Sequence, residues 1–378
     1  MNKIIYLDNA STTKPSAEAI AAMTSALECY GNPSSLHSLG LESEKIVEKS
    51  RSVIASKLGA DKKKVYFTSG GTEANNTAIF GVARALKKRG NKIITSKIEH
   101  PSVLESFRAL EKEGFTVVYL DVTPEGIIDM EQARHEIDEN TSLVSVMTVN
   151  NETGIIQPAK EIGKILHEKS EFGLFHTDAV QAFGKVPCGV RDTGADLISV
   201  SSHKIHGPKG VGALYVGKGK LSPIIFGGSQ QGAVRPGTEN VPGIAGFGAA
   251  AEKGIENCDV LYDTLKKGIL GEIPDVKING AEKYASKFVL NVSFIGLKAE
   301  VLLHTLENYN IFVSTGSACS SHKPDPSHVL TAMGLSREET GGAVRFSFSG
   351  ENTIEDIEQT IQILIKEVAV LRRYTRNR

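Results

Sequence analysis

Polar residues able to do chemistry cluster at a few points of this 378-residue chain, each just after an apolar run. Lys204 stands in SSHKIHGPKG with Ser201, His203 and His206. Asp178 and Gln181 stand in HTDAVQ, His100 closes SKIEH, and Gly71 and Thr72 sit in SGGTE. Taken singly, each has a plain structural reading: a polar cap at a strand end, a solvated lysine, a turn before a helix. Taken together they converge on one rim, which points to a site. A lysine amine can condense with an aldehyde. An aspartate can keep a pyridine nitrogen protonated, and an imidazole can stack on a ring face. A glycine-rich turn opening a helix can cradle a phosphate with its N–H groups, helped by the Thr72 hydroxyl. The combination suits pyridoxal 5'-phosphate (PLP). Nothing matches GxGxxG or GxxxxGK[ST], so a nicotinamide or nucleotide site has no glycine motif behind it.

The elements that must hold these residues follow from the hydrophobic pattern. Apolar strands over 64–69, 91–97, 115–120, 142–151, 173–180, 195–202 and 211–216 alternate with helical stretches. Ser102 with Glu105 is a candidate cap for the helix after EHPS, and 158–169 is amphipathic. This predicts a mostly parallel, seven-stranded α/β sheet covered on both faces, with ligands outside the carboxyl ends of its strands. Past about 250 the pattern changes to a smaller α/β unit, with strands over 289–296, 311–316 and 343–350. A closing helix starts at Thr353, with Thr353 and Asp356 as its capping pair. The expected division is a large unit of 14–250 and a small unit of 1–13 with 251–378.

Composition narrows the function classes. There are 43 Lys and Arg against 44 Asp and Glu, so the net charge of -1 gives no general attraction to nucleic acid or an anionic membrane. No stretch approaches a membrane span, and MNKIIYLDNASTT lacks a signal-peptide core, so a cytoplasmic protein is expected. Cys29, Cys188, Cys258 and Cys319 are scattered, with neither a CxxC pair nor zinc-ligand spacing, so no metal site is expected. Cys319 differs from the others in lying among small residues, in VSTGSACSS.

The ordered motifs YLDNASTT, YGNPSSLH, FTSGGTEANN, SKIEHPSV, VNNETG, HTDAVQ, SSHKIHGPKG, RPGTEN, STGSAC and VRFSFS cover nearly the whole chain. As a set, the chain resembles the cysteine desulfurases of the NifS/IscS type, within the fold type I PLP-dependent transferases. The resemblance implies a homodimer that converts L-cysteine to L-alanine and leaves the sulfur as a persulfide on Cys319. It implies Lys204 as the lysine that binds the cofactor and moves the substrate proton. It places Asp178 at the pyridine nitrogen, Gln181 at the ring hydroxyl oxygen and His100 on the ring face as a catalytic residue that assists proton transfer, with His100, bound substrate or solvent left open as the acceptor of the Cys319 proton. Gly71, Thr72, Ser201 and His203 would hold the phosphate, joined by Thr238 of the partner subunit. Arg345 would take the substrate carboxylate with help from Asn151, and Asn32 would shape the entrance. The implied sulfur acceptor is an iron–sulfur scaffold protein or a tRNA-thiolation enzyme. A selenocysteine lyase, or another PLP-dependent amino-acid enzyme of the same fold, is the alternative. Two departures from the family stand out: Pro236 replaces a serine before Gly237, and Gly71 replaces an alanine. The second is expected to add backbone freedom with little chemical change. The small neighbours of Cys319 predict a mobile 314–325 loop that carries the persulfide outward.

Overall fold

Residues 3–315 and 326–376 are described by a computed structural model of the chain. The strands, in chain order, are β1 (Ile5–Tyr6), β2 (Val65–Thr68), β3 (Lys92–Ser96), β4 (Thr116–Leu120), β5 (Thr141–Ser145) and β6 (Leu174–Asp178). They continue as β7 (Leu197–Ser201), β8 (Gly212–Val216), β9 (Val276–Ile278), β10 (Val289–Phe294), β11 (Ile311–Phe312) and β12 (Ala343–Ser347). The order in the seven-stranded sheet is β2-β8-β7-β6-β5-β3-β4. Only β8 among these runs against its neighbours, so the sheet is mostly parallel, as the unbroken apolar runs predicted.

Apolar clusters cover both faces of this sheet. One contains Ile94, Val144, Phe175 and Ile198, and the other Ile93, Leu143, Leu174 and Leu197, which is the alternation a pleated strand imposes. Polar side chains near the strand ends satisfy one another across the sheet. His176 on β6 sits between Ser145 Oγ (2.8 Å from Nδ1) and Ser199 Oγ (2.9 Å from Nε2), and burial pushes its pKa down to about 3.

Another core forms around β10 and β12, with β9 beyond β10, and includes Leu290, Val292, Val344 and Phe346. Ile5 and Leu7 belong to it, because β1 pairs in parallel with β11. The chain then runs from this core to the rim of the large sheet, where Thr13 Oγ1 accepts the His206 N–H at 2.7 Å. The closing helix Ile354–Arg376 starts on the predicted pair, with reciprocal bonds of 3.0 and 3.3 Å between Thr353 and Asp356. No helix among the described residues is long and apolar enough to cross a membrane.

Several element boundaries differ from expectation. The apolar run 142–151 forms a strand only to Ser145. Beyond it, Asn150 Oδ1 accepts from the Glu152 and Thr153 N–H groups at 2.9 Å each, folding the chain into a turn. The helix Pro101–Lys112 is capped by His100 rather than Ser102. Pro101 takes the first helical position, which needs no N–H, and the His100 ring accepts from the Ser102 N–H. Strands β1 and β9 are too short to show a hydrophobic period and were not expected.

Candidate active site

The carboxyl ends of the parallel strands open on a cavity of about 400 Å³. Chain geometry explains what lines it. The helix Gly71–Leu86 begins at the rim just after β2, and Asp178 is the last residue of β6. Ser201 ends β7, and a single 3-10 turn, Ser202–Lys204, turns the lysine inward. His100 arrives from the turn after β3, and Asn151 from the turn after β5. Arg345 reaches across from β12.

Around the buried Asp178 the bonds are fixed in direction. Its Oδ1 accepts from the Val180 N–H at 2.9 Å, and its Oδ2 accepts from Asn75 Nδ2 at 2.7 Å. The same Asn75 nitrogen donates to Ser102 Oγ at 3.0 Å. Ser102 Oγ lies 2.8 Å from His100 Nδ1. Gln181 donates to the Ala10 carbonyl at 2.8 Å while its oxygen faces Lys185 at 3.3 Å, so its amide nitrogen is the end turned to the site. Lys204 Nζ donates to the carbonyls of Ala10 and Ser11, each at 2.7 Å.

At the side toward β12, Arg345 is only 3% exposed. Its Nη1 donates to the Asn151 carbonyl at 2.9 Å, and its Nη2 to Asp8 Oδ1 at 2.8 Å and Ser11 Oγ at 2.6 Å. Its Nε is buried with no hydrogen-bond partner among the described residues, so the guanidinium keeps capacity for an acceptor. Ser314 exchanges both backbone bonds with Arg345, at 3.1 and 2.7 Å, immediately before the chain leaves the described residues. Where it returns, Ser327 Oγ lies 2.5 Å from the buried Glu152 carboxylate, and His328 Nε2 lies 2.9 Å from the Glu99 carbonyl.

Burial and charge tune this rim. Burial, opposed by Asp178 and reinforced by Lys204 and His328, leaves His100 more acidic than an ordinary histidine. Burial and then the positive charges of Lys204, Lys209 and Lys185 push His203 down to about 4, so both imidazoles are neutral near pH 7. Burial beside Lys204 and Arg345 lowers Lys185 to about 7. Glu99 is completely buried behind His100, and burial pushes it up to about 8 despite bonds from Ser96 Oγ at 2.5 Å and the Met147 N–H at 3.1 Å.

The model of the class-V aminotransferase family matches residues 5–360. The cysteine desulfurase IscS of Clostridium botulinum is 46% identical over 377 residues, covering 97% of this chain and 94% of that protein. The IscS of Methanosarcina thermophila is 43% identical over 380 residues, covering 98% and 93%. A solved NifS-like protein superposes with a TM-score of 0.91 at 35% identity, covering 98% of this chain and 100% of the other. The chain belongs to the NifS/IscS-type cysteine desulfurases. Desulfurases of this type use PLP to turn L-cysteine into L-alanine and retain the sulfur as a persulfide, and that is the activity of this enzyme.

The desulfurase cavity fits PLP on its own chemistry. The helix Gly71–Leu86 starts at the rim with no side-chain cap, leaving N–H donors for an anion. Ser201 Oγ, buried beside it, has no hydrogen-bond partner among the described residues. A Cβ on Gly71 would come within 2.7 Å of Val180 Cγ2, so the glycine keeps the cradle open. An alanine at this position would need Val180 to shift.

Of the residues singled out from sequence, Gly71, Thr72, His100, Asn151, Asp178, Gln181, Ser201, His203, Lys204 and Arg345 all line this one cavity. Asn32 and Thr238 do not line it; both are exposed on this chain. Asn32 Oδ1 accepts from the Ser34 N–H at 2.9 Å. Cys319 and nearly all of the expected 314–325 loop lie outside the described residues. Sequence reasoning missed Asp8, Ser11, Asn75 and Ser102. The first two belong to YLDNASTT and the others to FTSGGTEANN and SKIEHPSV, so the motifs carried a signal that was not resolved to residues.

Proposed function

We propose that the cavity residues divide the desulfuration of L-cysteine among them as follows, with Cys319 as the sulfur acceptor. PLP, when bound, withdraws electrons from the substrate α-carbon. Lys204 anchors it and moves a proton at that carbon. Asp178, braced by Asn75 and the Val180 N–H, holds the pyridine nitrogen, and Gln181 directs its amide N–H to the ring oxygen. The N-terminus at Gly71 and Thr72, with Ser201 and His203, holds the phosphate. Arg345, oriented by Asp8, Ser11 and the Asn151 carbonyl, binds the substrate carboxylate. The Cys319 thiolate attacks the substrate sulfur. The C–S bond breaks with its electron pair going to carbon, an S–S bond forms, and the carbon takes a proton to leave as alanine.

The observation that carries this reading is the convergence of Lys204, Asp178, His100 and Arg345 on one cavity beside the flanks of the Cys319 segment. Ser314 and His328 both meet site residues, and Cys319 lies among the thirteen residues that join them. The test is turnover of L-cysteine with dithiothreitol present to reduce the persulfide, alanine and sulfide being measured together. Wild type forms both in equal amounts, and Lys204→Ala forms neither. Alanine formation by Lys204→Ala would refute the assignment.

The finer reading is a homodimer in which exposed Thr238 completes the partner's phosphate site, while Asn32 shapes the substrate entrance. An iron–sulfur scaffold protein or a tRNA-thiolation enzyme would receive the sulfur. A reducing cytoplasm is the proposed setting, since a persulfide carrier needs a free thiol.

A further inference from the structure

The network behind His100 has a direction. The Asp178 carboxylate accepts only, so Asn75 must turn its Nδ2 toward it at 2.7 Å. The other N–H of that amide goes to Ser102 Oγ at 3.0 Å. Ser102 Oγ, having accepted there, turns its own proton to His100 Nδ1 at 2.8 Å. The Ser102 backbone N–H also donates to Nδ1, at 3.1 Å, and a backbone N–H cannot reverse. Nδ1 is thus an acceptor twice over, and the ring proton resides on Nε2. The ring also caps the helix Pro101–Lys112, where the positive end of the dipole opposes a cation.

We propose that His100 serves the cavity as a neutral hydrogen-bond donor, locked with its proton on Nε2 by Asn75 and Ser102, and is not the base that deprotonates the attacking thiol. A protonated Nε2 has no lone pair for a further proton, and the lone pair on Nδ1 is engaged by Ser102. The thiol therefore ionises before attack or loses its proton to another group. Asn75 and Ser102 act as positioning residues. The groups facing His100 are Asp178 from the end of β6, Lys204 from the turn after β7 and His328 from the helix His328–Ala332. The inference rests on the reading of this cavity as the desulfurase site.

Nitrogen-15 NMR of histidine-labelled enzyme tests it directly, with and without PLP and before any substrate is added. The His100 signals are assigned by their loss in His100→Gln. The expected result is a neutral ring protonated at Nε2 at pH 7 and above. A proton on Nδ1, or a titration midpoint near 7, overturns the proposal. In Ser102→Ala the midpoint should move up toward that of an ordinary histidine, and an unchanged spectrum would show that the network does not set the state. Kinetics give an independent arm. The His100→Gln amide can still donate but cannot act as a base, so it should retain a higher kcat than His100→Ala. Equal losses of roughly 10²–10⁴ in both variants would indicate a base and contradict the proposal. Failure of the wild type to release alanine would instead count against the function, leaving the NMR result to stand alone.

Discussion

Arg345 combines almost complete burial with an ion pair to Asp8 at 2.8 Å, so its fork is held still before substrate arrives. Arg345→Lys keeps the charge but loses the planar pair of donors, and KM for L-cysteine should rise roughly 10–100-fold with PLP absorbance unchanged. A KM near that of wild type would remove Arg345 from the carboxylate site. Glu99 offers a different test. Its pKa is raised from 4.5 to about 8 by folding, so the folded state binds its proton more tightly than the unfolded state does. The stability this contributes is fully present below about pH 4.5 and is lost as pH rises through 8. The Tm of Glu99→Gln relative to wild type should therefore climb between pH 5 and 8.5; a constant difference across that range would contradict the burial argument. At this scale, Lys204 and Asp178 were legible because imine chemistry demands those residue types. Asn75 and Ser102 were not, since their work is to direct other side chains and depends on contacts between separate elements.

The helix Gly71–Leu86 and the strand end at Asp178 meet at one tight point, Gly71 against Val180. Gly71→Ala should cost about 1–3 kcal/mol of overpacking, read as weaker PLP binding and a lower Tm, and Val180→Ala should restore most of it. Full PLP affinity in Gly71→Ala alone would show that the two elements separate easily. The strands of the large sheet were readable because most of them bury both faces and so write an apolar run. β1, with two residues, writes no period, yet it starts the segment that brings Asp8, Ala10 and Ser11 under Arg345 and Lys204. The capping of the helix Pro101–Lys112 was misplaced because a histidine ring took the role usually left to serine.

In the whole molecule, the site draws on the rim of the large sheet, on β12 of the small sheet and on the N-terminal segment that joins them. Sequence periodicity located these parts separately, but their convergence is a tertiary property, visible beforehand only through the order of the motifs. Thr238 extends the question to the dimer. A mixed dimer of Lys204→Ala and Thr238→Ala chains should regain about half the wild-type activity, because one site receives both intact residues if Thr238 acts across the interface. Activity no higher than that of the Thr238→Ala homodimer would place Thr238 in its own chain's site. The central claim, sulfur transfer from L-cysteine to Cys319, is tested most directly by mass spectrometry of the protein after L-cysteine is added without reductant. The peptide containing Cys319 should gain the mass of one sulfur atom as alanine appears, and Cys319→Ala should gain none. Sulfur appearing on Cys29, Cys188 or Cys258 instead, or efficient alanine release by Cys319→Ala, would contradict it.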